Sequence, residues 1–243
     1  LEAGCDVFIE KPISVNKKEL KNLSDVAQKD NNLKIYAGYN RPFSPAIKKL
    51  KKIQSNKEAP FTLSSFIIGH HIEEGHWYRN QKEGTRILSN LSHWIDLYIN
   101  MLFWNNWKKD YIDISISYSF KGDYFKNFNE PFSISLTNSV GDISTITFSC
   151  REEPYEGVNE TINFQQGNLI AKIDDFRNIQ IWDGKKYKNY KYWPKDNGHK
   201  NSINQPFFSE DHRSWDELEL STNLTLYIDE MVKKHETLNR FEC

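Results

Sequence analysis

The chain has 243 residues, with 32 lysines and arginines against 33 aspartates and glutamates, a formal net charge of −1. That length holds one large domain or one and a half. The charges are mixed, with no basic patch or acidic tail, which argues against nucleic acid and membrane as partners, and no apolar run reaches the ~18–20 residues of a membrane-crossing helix.

Leu1-Glu2-Ala3-Gly4 reads as the end of a helix, with Gly4 as its left-handed cap. A helix end with no helix before it suggests the carboxyl-terminal part of a longer chain, and no Gly-x-Gly-x-x-Gly occurs anywhere in the sequence. Residues 6–10 read as a strand that stops at Lys11-Pro12. The proline cannot continue a ladder and holds the lysine before it in extended or turn geometry. Residues 16–30 read as a helix, with Asn16 as cap, Glu19 completing a capping box, and Leu20, Leu23, Val26 and Ala27 on one face. A strand over 34–39 follows, within the run Leu33 to Arg41, and ends at Asn40-Arg41 before Pro42. The next helix covers 44–54, with Ile47, Leu50 and Ile53 apolar. This strand–helix–strand–helix order requires a parallel sheet, and ligands bind such sheets at the carboxyl ends of the strands. Residues 55–60 form a natural boundary.

Beyond it the pattern changes to strands over 61–68, 113–120, 132–136, 143–150, 160–165, 169–173 and 178–182. Ile112, Ile114, Ile116 and Tyr118 face one way while Asp113, Ser115 and Ser117 face the other, so the sheet has one buried and one wetter face. Gln166-Gly167-Asn168 and Asp183-Gly184 are hairpin signals. The segment 90–104 is apolar nearly all round and reads as a buried helix. A last helix spans 214–235, capped by Ser214 with Glu217 three residues on, and buries Leu218, Leu224, Tyr227, Ile228 and Met231. Since it covers only part of the sheet, Ile112, Ile114, Ile116, Phe132 and Ile146 are expected to need a cover from another subunit. The cysteines, Cys5, Cys150 and Cys243, are three in number and scattered, which points to reduced thiols and a cytoplasmic protein.

Three blocks carry a family resemblance: Ala3 to Pro12 ending in Glu-Lys-Pro, Gly38-Tyr39-Asn40-Arg41-Pro42-Phe43-Ser44-Pro45, and Gly84 to Leu97 containing His93 and Asp96. In that order and spacing they resemble the glucose–fructose oxidoreductase / inositol dehydrogenase / rhizopine catabolism (Gfo/Idh/MocA) family. The resemblance covers residues 1 to about 110 by motif and the remainder by architecture. It implies an α/β plus α+β chain: residues 1–58 as the carboxyl-terminal part of a Rossmann-type parallel sheet, and 59–243 as a mostly antiparallel, open-faced sheet domain with helices on one face. It further implies NAD or NADP as cofactor and a hydride transferred from a secondary hydroxyl of a sugar, inositol or sugar derivative. Two alternatives stay open, an NAD-using glycosidase of the same family and a non-catalytic member that senses a dinucleotide or sugar.

The same resemblance gives the residues roles. Lys11 and His93 are the catalytic pair, Lys11 stabilising the reacting oxygen and His93 serving as acid/base. Glu10, Lys11, Pro12, Asn40 and Arg41 lie on the cofactor side. Tyr39, Asn90, His93 and a covering loop with His76, Trp77 and Arg79 lie on the substrate side. Inositol-dehydrogenase-like members carry an Asp four residues before the histidine, where this chain has Ser89, so either His93 works without that partner or Asn90 positions the substrate. Asp96, one turn after His93, could orient the imidazole or bond a neighbouring helix. His70, His71, Glu73, Glu74 and His76 are dense in metal-ligand types, but they lack the His-Glu-x-x-His spacing, and no metal is expected. Trp182, Tyr187, Tyr190, Tyr192 and Trp193 suit an interface, and the family's open sheet face pairs subunits, which implies a homodimer or homotetramer.

Overall fold

The computed structural model describes residues 1, 3–29, 34–54, 58–80, 85–105, 107–118, 129–152, 157–207 and 212–243. The first strand, β1 (Val7–Ile9), pairs in parallel with β2 (Ile35–Ala37) through helix α1 (Lys17–Ala27). Asn16 caps α1 as the sequence indicates, but the capping box is not closed, since Asn16 N–H donates to Ser14 Oγ at 3.2 Å rather than to Glu19. Asn16 Oδ1 accepts from Glu19 N at 2.9 Å, and Gly4 sits at φ +73° with its N–H on the Leu1 carbonyl. The Asn16 side chain satisfies an amide that the helix itself leaves open. After a 3₁₀ turn at Arg41–Phe43, α2 (Pro45–Ile53) is capped by Ser44, whose hydroxyl accepts from Ile47 N. The expected ends at Asp30 and Leu33, the boundary residues 55–57, Gly84 and the tail of the strand over 113–120 fall outside the described residues.

A second sheet of nine strands holds most of the chain: β3 (Phe61–His70), β4 (Tyr111–Tyr118), β5 (Phe132–Asn138), β6 (Ile143–Arg151), β7 (Asn159–Gln166), β8 (Leu169–Asp174), β9 (Asn178–Asp183), β10 (Lys186–Lys191) and β11 (Leu238–Glu242). Their spatial order is β10-β9-β8-β7-β3-β6-β5-β4-β11, and among the described residues of this sheet only β3 and β6 pair in parallel. Glycines at positive φ, Gly167 (+55°) and Gly184 (+57°), make the turns of the β7–β8 and β9–β10 hairpins, a conformation that costs a residue with a Cβ. The sequence reading missed both edge strands. β10 is Lys-Tyr-Lys-Asn-Tyr-Lys and almost wholly exposed, the lysine-rich composition that discourages an edge from recruiting another strand.

The helices α3 (Ser92–Trp104) and α5 (Trp215–Lys233) cover one face of this sheet, while α4 (His199–Ile203) is a short piece between them in sequence. Ile112, Ile114, Ile116, Phe132 and Ile146 are each at most 5% exposed and share one core with Ile95, Leu102, Leu224 and Ile228 of these helices. The expectation that these five residues need a second subunit is therefore corrected: the chain covers them itself. The opposite face carries Ser115, Ser133, Ser135 and Thr145 with Phe66 and Ile170 among them. Ala46, Ile47 and Leu50 of α2 also pack into the large sheet's core, whereas α1 and the small sheet share a separate cluster with Leu88, Leu218 and Leu226. The two parts on either side of residue 58 are thus interleaved. Of the aromatic group, Trp193 and Tyr187 are exposed, while Tyr190 and Tyr192 pack against the large core.

A buried ionic network joins α3 to α5. Arg213 donates through Nη1 and Nη2 to the two oxygens of Asp96, each at 2.8 Å, and through Nε to Glu217 at 2.7 Å. Ser221 donates to Asp96 Oδ1, and Asn100 donates to Glu217 Oε1. Of the two roles open to Asp96, bonding a neighbouring helix is the one realised. Both of its oxygens are taken, and it does not orient His93. Asp96→Ala should lower the unfolding free energy by about 3–5 kcal/mol, because it leaves the buried Arg213 charge short of its main partner. Urea denaturation of the variant against wild type measures this.

Candidate active site

β1 ends where the sequence places Lys11, and the Lys11-Pro12 peptide is cis. Lys11 is half-buried, and its Nζ donates at 2.7 Å to the main-chain carbonyl of Ser89. Ser89 lies in a π-helical turn, Ile87–Leu91, ahead of α3, with Ser92 N bonded back to Ile87 O. Single π turns inside helices recur at functional sites. Thr85 starts the turn, its hydroxyl accepting from Leu88 N and donating to Asp229. The Ser89 hydroxyl donates to Thr85 O at 2.7 Å, so the side chain at the position of the family's Asp is turned into its own backbone.

His93 is 8% exposed and stands edge-on to Tyr39 and Trp94, with ring centroids 6.0 and 6.1 Å away. Its Nδ1 is buried without a hydrogen-bond partner among the described residues, as is Oδ1 of Asn90. Buried polar atoms are ordinarily satisfied, so two such atoms three residues apart make this a candidate binding place. Burial, then the charges of Arg41, Lys11 and His199, hold the His93 imidazole well below its usual range, leaving it neutral near pH 7. Burial, then Arg41, also lower Lys11, against the opposing pull of Glu10. Tyr39 is fully enclosed, and burial followed by the Asp96 charge raises its phenol.

Asn40 and Arg41 are buried, and their polar atoms are engaged within the chain. Arg41 donates through Nε and Nη2 to both oxygens of Glu160, at 2.8 and 3.1 Å, and its guanidinium lies 4.0 Å over the Trp94 ring. Nη1 reaches Asn40 Oδ1, and Asn40 Nδ2 donates to the Asn197 carbonyl at 2.7 Å. These two residues build the wall behind the site. Glu10 is exposed, with its carboxylate lying against Gly38, where a Cβ would meet Oε2 at 2.5 Å. Pro12 is half-buried beside Lys11.

The covering loop is a 3₁₀ turn, Trp77–Arg79, whose amide of Tyr78 is capped by His76 Nδ1 at 3.1 Å. Arg79 donates to the Ile72 carbonyl and closes the loop's base, and Trp77 is 64% exposed. The residue of this turn that reaches the Lys11 site is Tyr78, whose hydroxyl lies 3.5 Å from the Ser89 carbonyl. His71 meets Asn129, at 3.2 Å. Sequence reasoning named the flanking residues and passed over Tyr78, although an amphipathic phenol inside an aromatic run was the available signal. It also missed His199, discussed below.

No family model matches the chain, and no curated protein matches it. Solved structures do. A dehydrogenase from Chromobacterium violaceum superposes with a TM-score of 0.74 at 16% identity, over 97% of this chain and 70% of that one. A UDP-N-acetylglucosamine 3-dehydrogenase from Acidithiobacillus ferrooxidans gives 0.67 at 16% identity, over 97% and 72%. A Gfo/Idh/MocA family oxidoreductase from Vibrio cholerae gives 0.62 at 12% identity, over 96% and 71%. The chain therefore has the fold of Gfo/Idh/MocA-type oxidoreductases, with the small parallel sheet and the large, mostly antiparallel one in the same arrangement.

A histidine kept neutral by its surroundings costs stability when acid charges it in the unfolded chain but not in the folded one. Its folded pKa is depressed, so the unfolded state binds the extra proton first as pH falls below ~6.5, the ordinary histidine value. Stability should decline below that pH with a slope of up to ~1.4 kcal/mol per pH unit from this group. His93→Asn should flatten that acid limb, as read from urea midpoints between pH 5 and 7.5.

Proposed function

We propose that this chain belongs to an NAD(P)-dependent oxidoreductase that moves a hydride between a secondary hydroxyl of a sugar, inositol or sugar derivative and nicotinamide. The observation that carries the reading is the meeting of Lys11, held by the Ser89 carbonyl, with a buried, neutral His93 whose Nδ1 lacks a partner among the described residues. A cation beside a neutral base suits removal of a hydroxyl proton.

The residues fit a nicotinamide at the carboxyl end of β1, beside Lys11, Glu10 and Pro12. The bound nicotinamide supplies a ring carbon that accepts or returns hydride. The chain supplies the rest. His93 takes the proton of the substrate hydroxyl on an imidazole nitrogen as the carbon–hydrogen bond breaks, and gives it back in the reverse direction. Lys11, with one of its three protons on Ser89 O, directs the others at the substrate oxygen and stabilises the negative charge that grows there. Asn90 offers an acceptor to a neighbouring hydroxyl. The apolar enclosure by Tyr39 and Trp94 excludes water and strengthens each of these interactions. Asn40 and Arg41 hold this wall rigid, and the Trp77–Arg79 turn presents an aromatic face of the kind sugars stack on.

Among the described residues no helix is long and apolar enough to cross a membrane, and Cys5, Cys150 and Cys243 are unpaired thiols; a cytoplasmic setting suits them. Pairing of copies across the outward sheet face, where Phe66 and Ile170 are each 47% exposed, belongs to the same proposal.

The test uses the full-length protein with NAD or NADP and a panel containing myo-inositol, glucose and UDP-N-acetylglucosamine. Wild type should reduce the cofactor with at least one of them. Lys11→Met should lower kcat by about 10²–10⁴ with the cofactor still bound. His93→Ala should lose turnover, and the acid limb of the kcat/KM pH profile should go with it. Rates within a few-fold of wild type for both variants would refute the catalytic assignment.

A further inference from the structure

The segment after β10 returns the chain to the end of β2, where it is fastened by contacts of several kinds. Asn40 Nδ2 donates to the Asn197 carbonyl at 2.7 Å, Asn201 Nδ2 donates to the Phe43 carbonyl at 3.0 Å, and Gln205 Nε2 donates to the Ala37 carbonyl at 3.0 Å. Gly198, at φ +95°, lies so close to the Asn40–Ser44 backbone that a Cβ would stand 2.2 Å from the Asn40 carbonyl oxygen. Only glycine meets both demands, the left-handed backbone and the absence of a side chain. The following residue, His199, is exposed, and its backbone is therefore placed with little freedom close enough to Lys11 and His93 to act on both electrostatically.

The His199 ring is oriented as well as placed. Its Nδ1 lies 2.7 Å from Asn197 Oδ1. An amide oxygen only accepts, so Nδ1 carries the proton and Nε2 is left as a bare acceptor. Nε2 has no partner among the described residues. Lys11, Arg41 and His93 all act on the ring electrostatically, as do Glu10 and Glu160. Burial first, then the Arg41 charge, hold this imidazole below its usual range and favour the neutral tautomer that the Asn197 contact selects. Lys11 is a donor only. A hydroxyl-rich substrate brings donors of its own, and a site that fixes it needs acceptors facing them.

We propose that His199 is a substrate-contacting residue, its Nε2 accepting a hydrogen bond from a hydroxyl of the sugar or polyol next to the one that reacts. This rests on the oxidoreductase reading above and extends it to a residue outside the three motif blocks.

Two amides separate a contact role from a packing role. Asn at this position reproduces the Nδ1 contact with Asn197 and loses the Nε2 atom. Gln reaches to where Nε2 stood and can present an oxygen there. In the full-length protein, with the best substrate of the panel, His199→Asn and His199→Ala should each raise KM for that substrate at least about tenfold. In both, kcat should stay within about threefold, and KM for the nicotinamide cofactor and the melting temperature should be unchanged. His199→Gln should recover most of the lost affinity. The opposite order, with Asn near wild type and Ala and Gln both impaired and less stable, would make His199 a packing residue and overturn the proposal. So would an unchanged substrate KM in all three. If wild type turns over no member of the panel with either cofactor, the oxidoreductase reading itself fails and this inference falls with it.

Discussion

One buried carboxylate holds the two parts of this molecule in register. Glu160, on β7 of the large sheet, accepts from Arg41 at the end of β2 and from Trp94 Nε1 on α3, the latter at 2.9 Å. Three elements far apart in sequence therefore converge on two oxygen atoms. The geometry is bidentate, the guanidinium is stacked on an indole, and no charge in the set is left without a partner. Those are the conditions under which a buried ion pair can repay its desolvation. Lys11 comes from β1, the strand that pairs with β2, and His93 directly precedes Trp94. The separation between Lys11 and His93 is thus set by the strand end and helix that Glu160 ties together. Asn40 continues the same chain of contacts to Asn197, which brings His199 under the same constraint.

The recess is built by subtraction. Around Lys11 and His93 several polar groups are engaged: Asp96 with Arg213, Arg41 with Glu160, Ser89 with Thr85. Nδ1 of His93, Oδ1 of Asn90, Oη of Tyr39, Oγ of Ser92 and Nε2 of His199 have no hydrogen-bond partner among the described residues. Each of these atoms can accept, while the ammonium of Lys11 donates. Under the proposed function, the complement of that set is a molecule with several hydroxyls and one oxygen able to bear negative charge.

The legible parts of the sequence are those set by local chemistry. Asn16 and Ser214 cap the helices that follow them, since a cap acts within three residues. Lys11 stands at a strand's end because Pro12 follows it. The alternation of Ile112, Ile114 and Ile116 identified the buried face correctly, but alternation does not say what does the burying, and the helices of the same chain do. The partners of Asp96 and Arg41 lie 117 and 119 residues away, a distance at which no local rule operates. β10 and β11 are edge strands with few apolar side chains, so the usual signal for a strand is weak in them. The π turn leaves no trace, since the apolar residues around it surround the helix and carry no period to break. His199 was hidden because it lies in a connecting segment and only its fastening to β2 gives it a place.

That π turn makes the site depend on the number of residues as well as on their kinds. An α-helix advances about 100° per residue, and the π turn at Ile87–Leu91 carries one residue more than a regular turn needs. Loss of a single codon there would let the helix close into ordinary α geometry, with every apolar residue of α3 intact. His93 would then swing by about a quarter-turn relative to the residues before it. A homologue with identical motif letters but one residue fewer between Thr85 and His93 would keep the fold and lose this arrangement of the site.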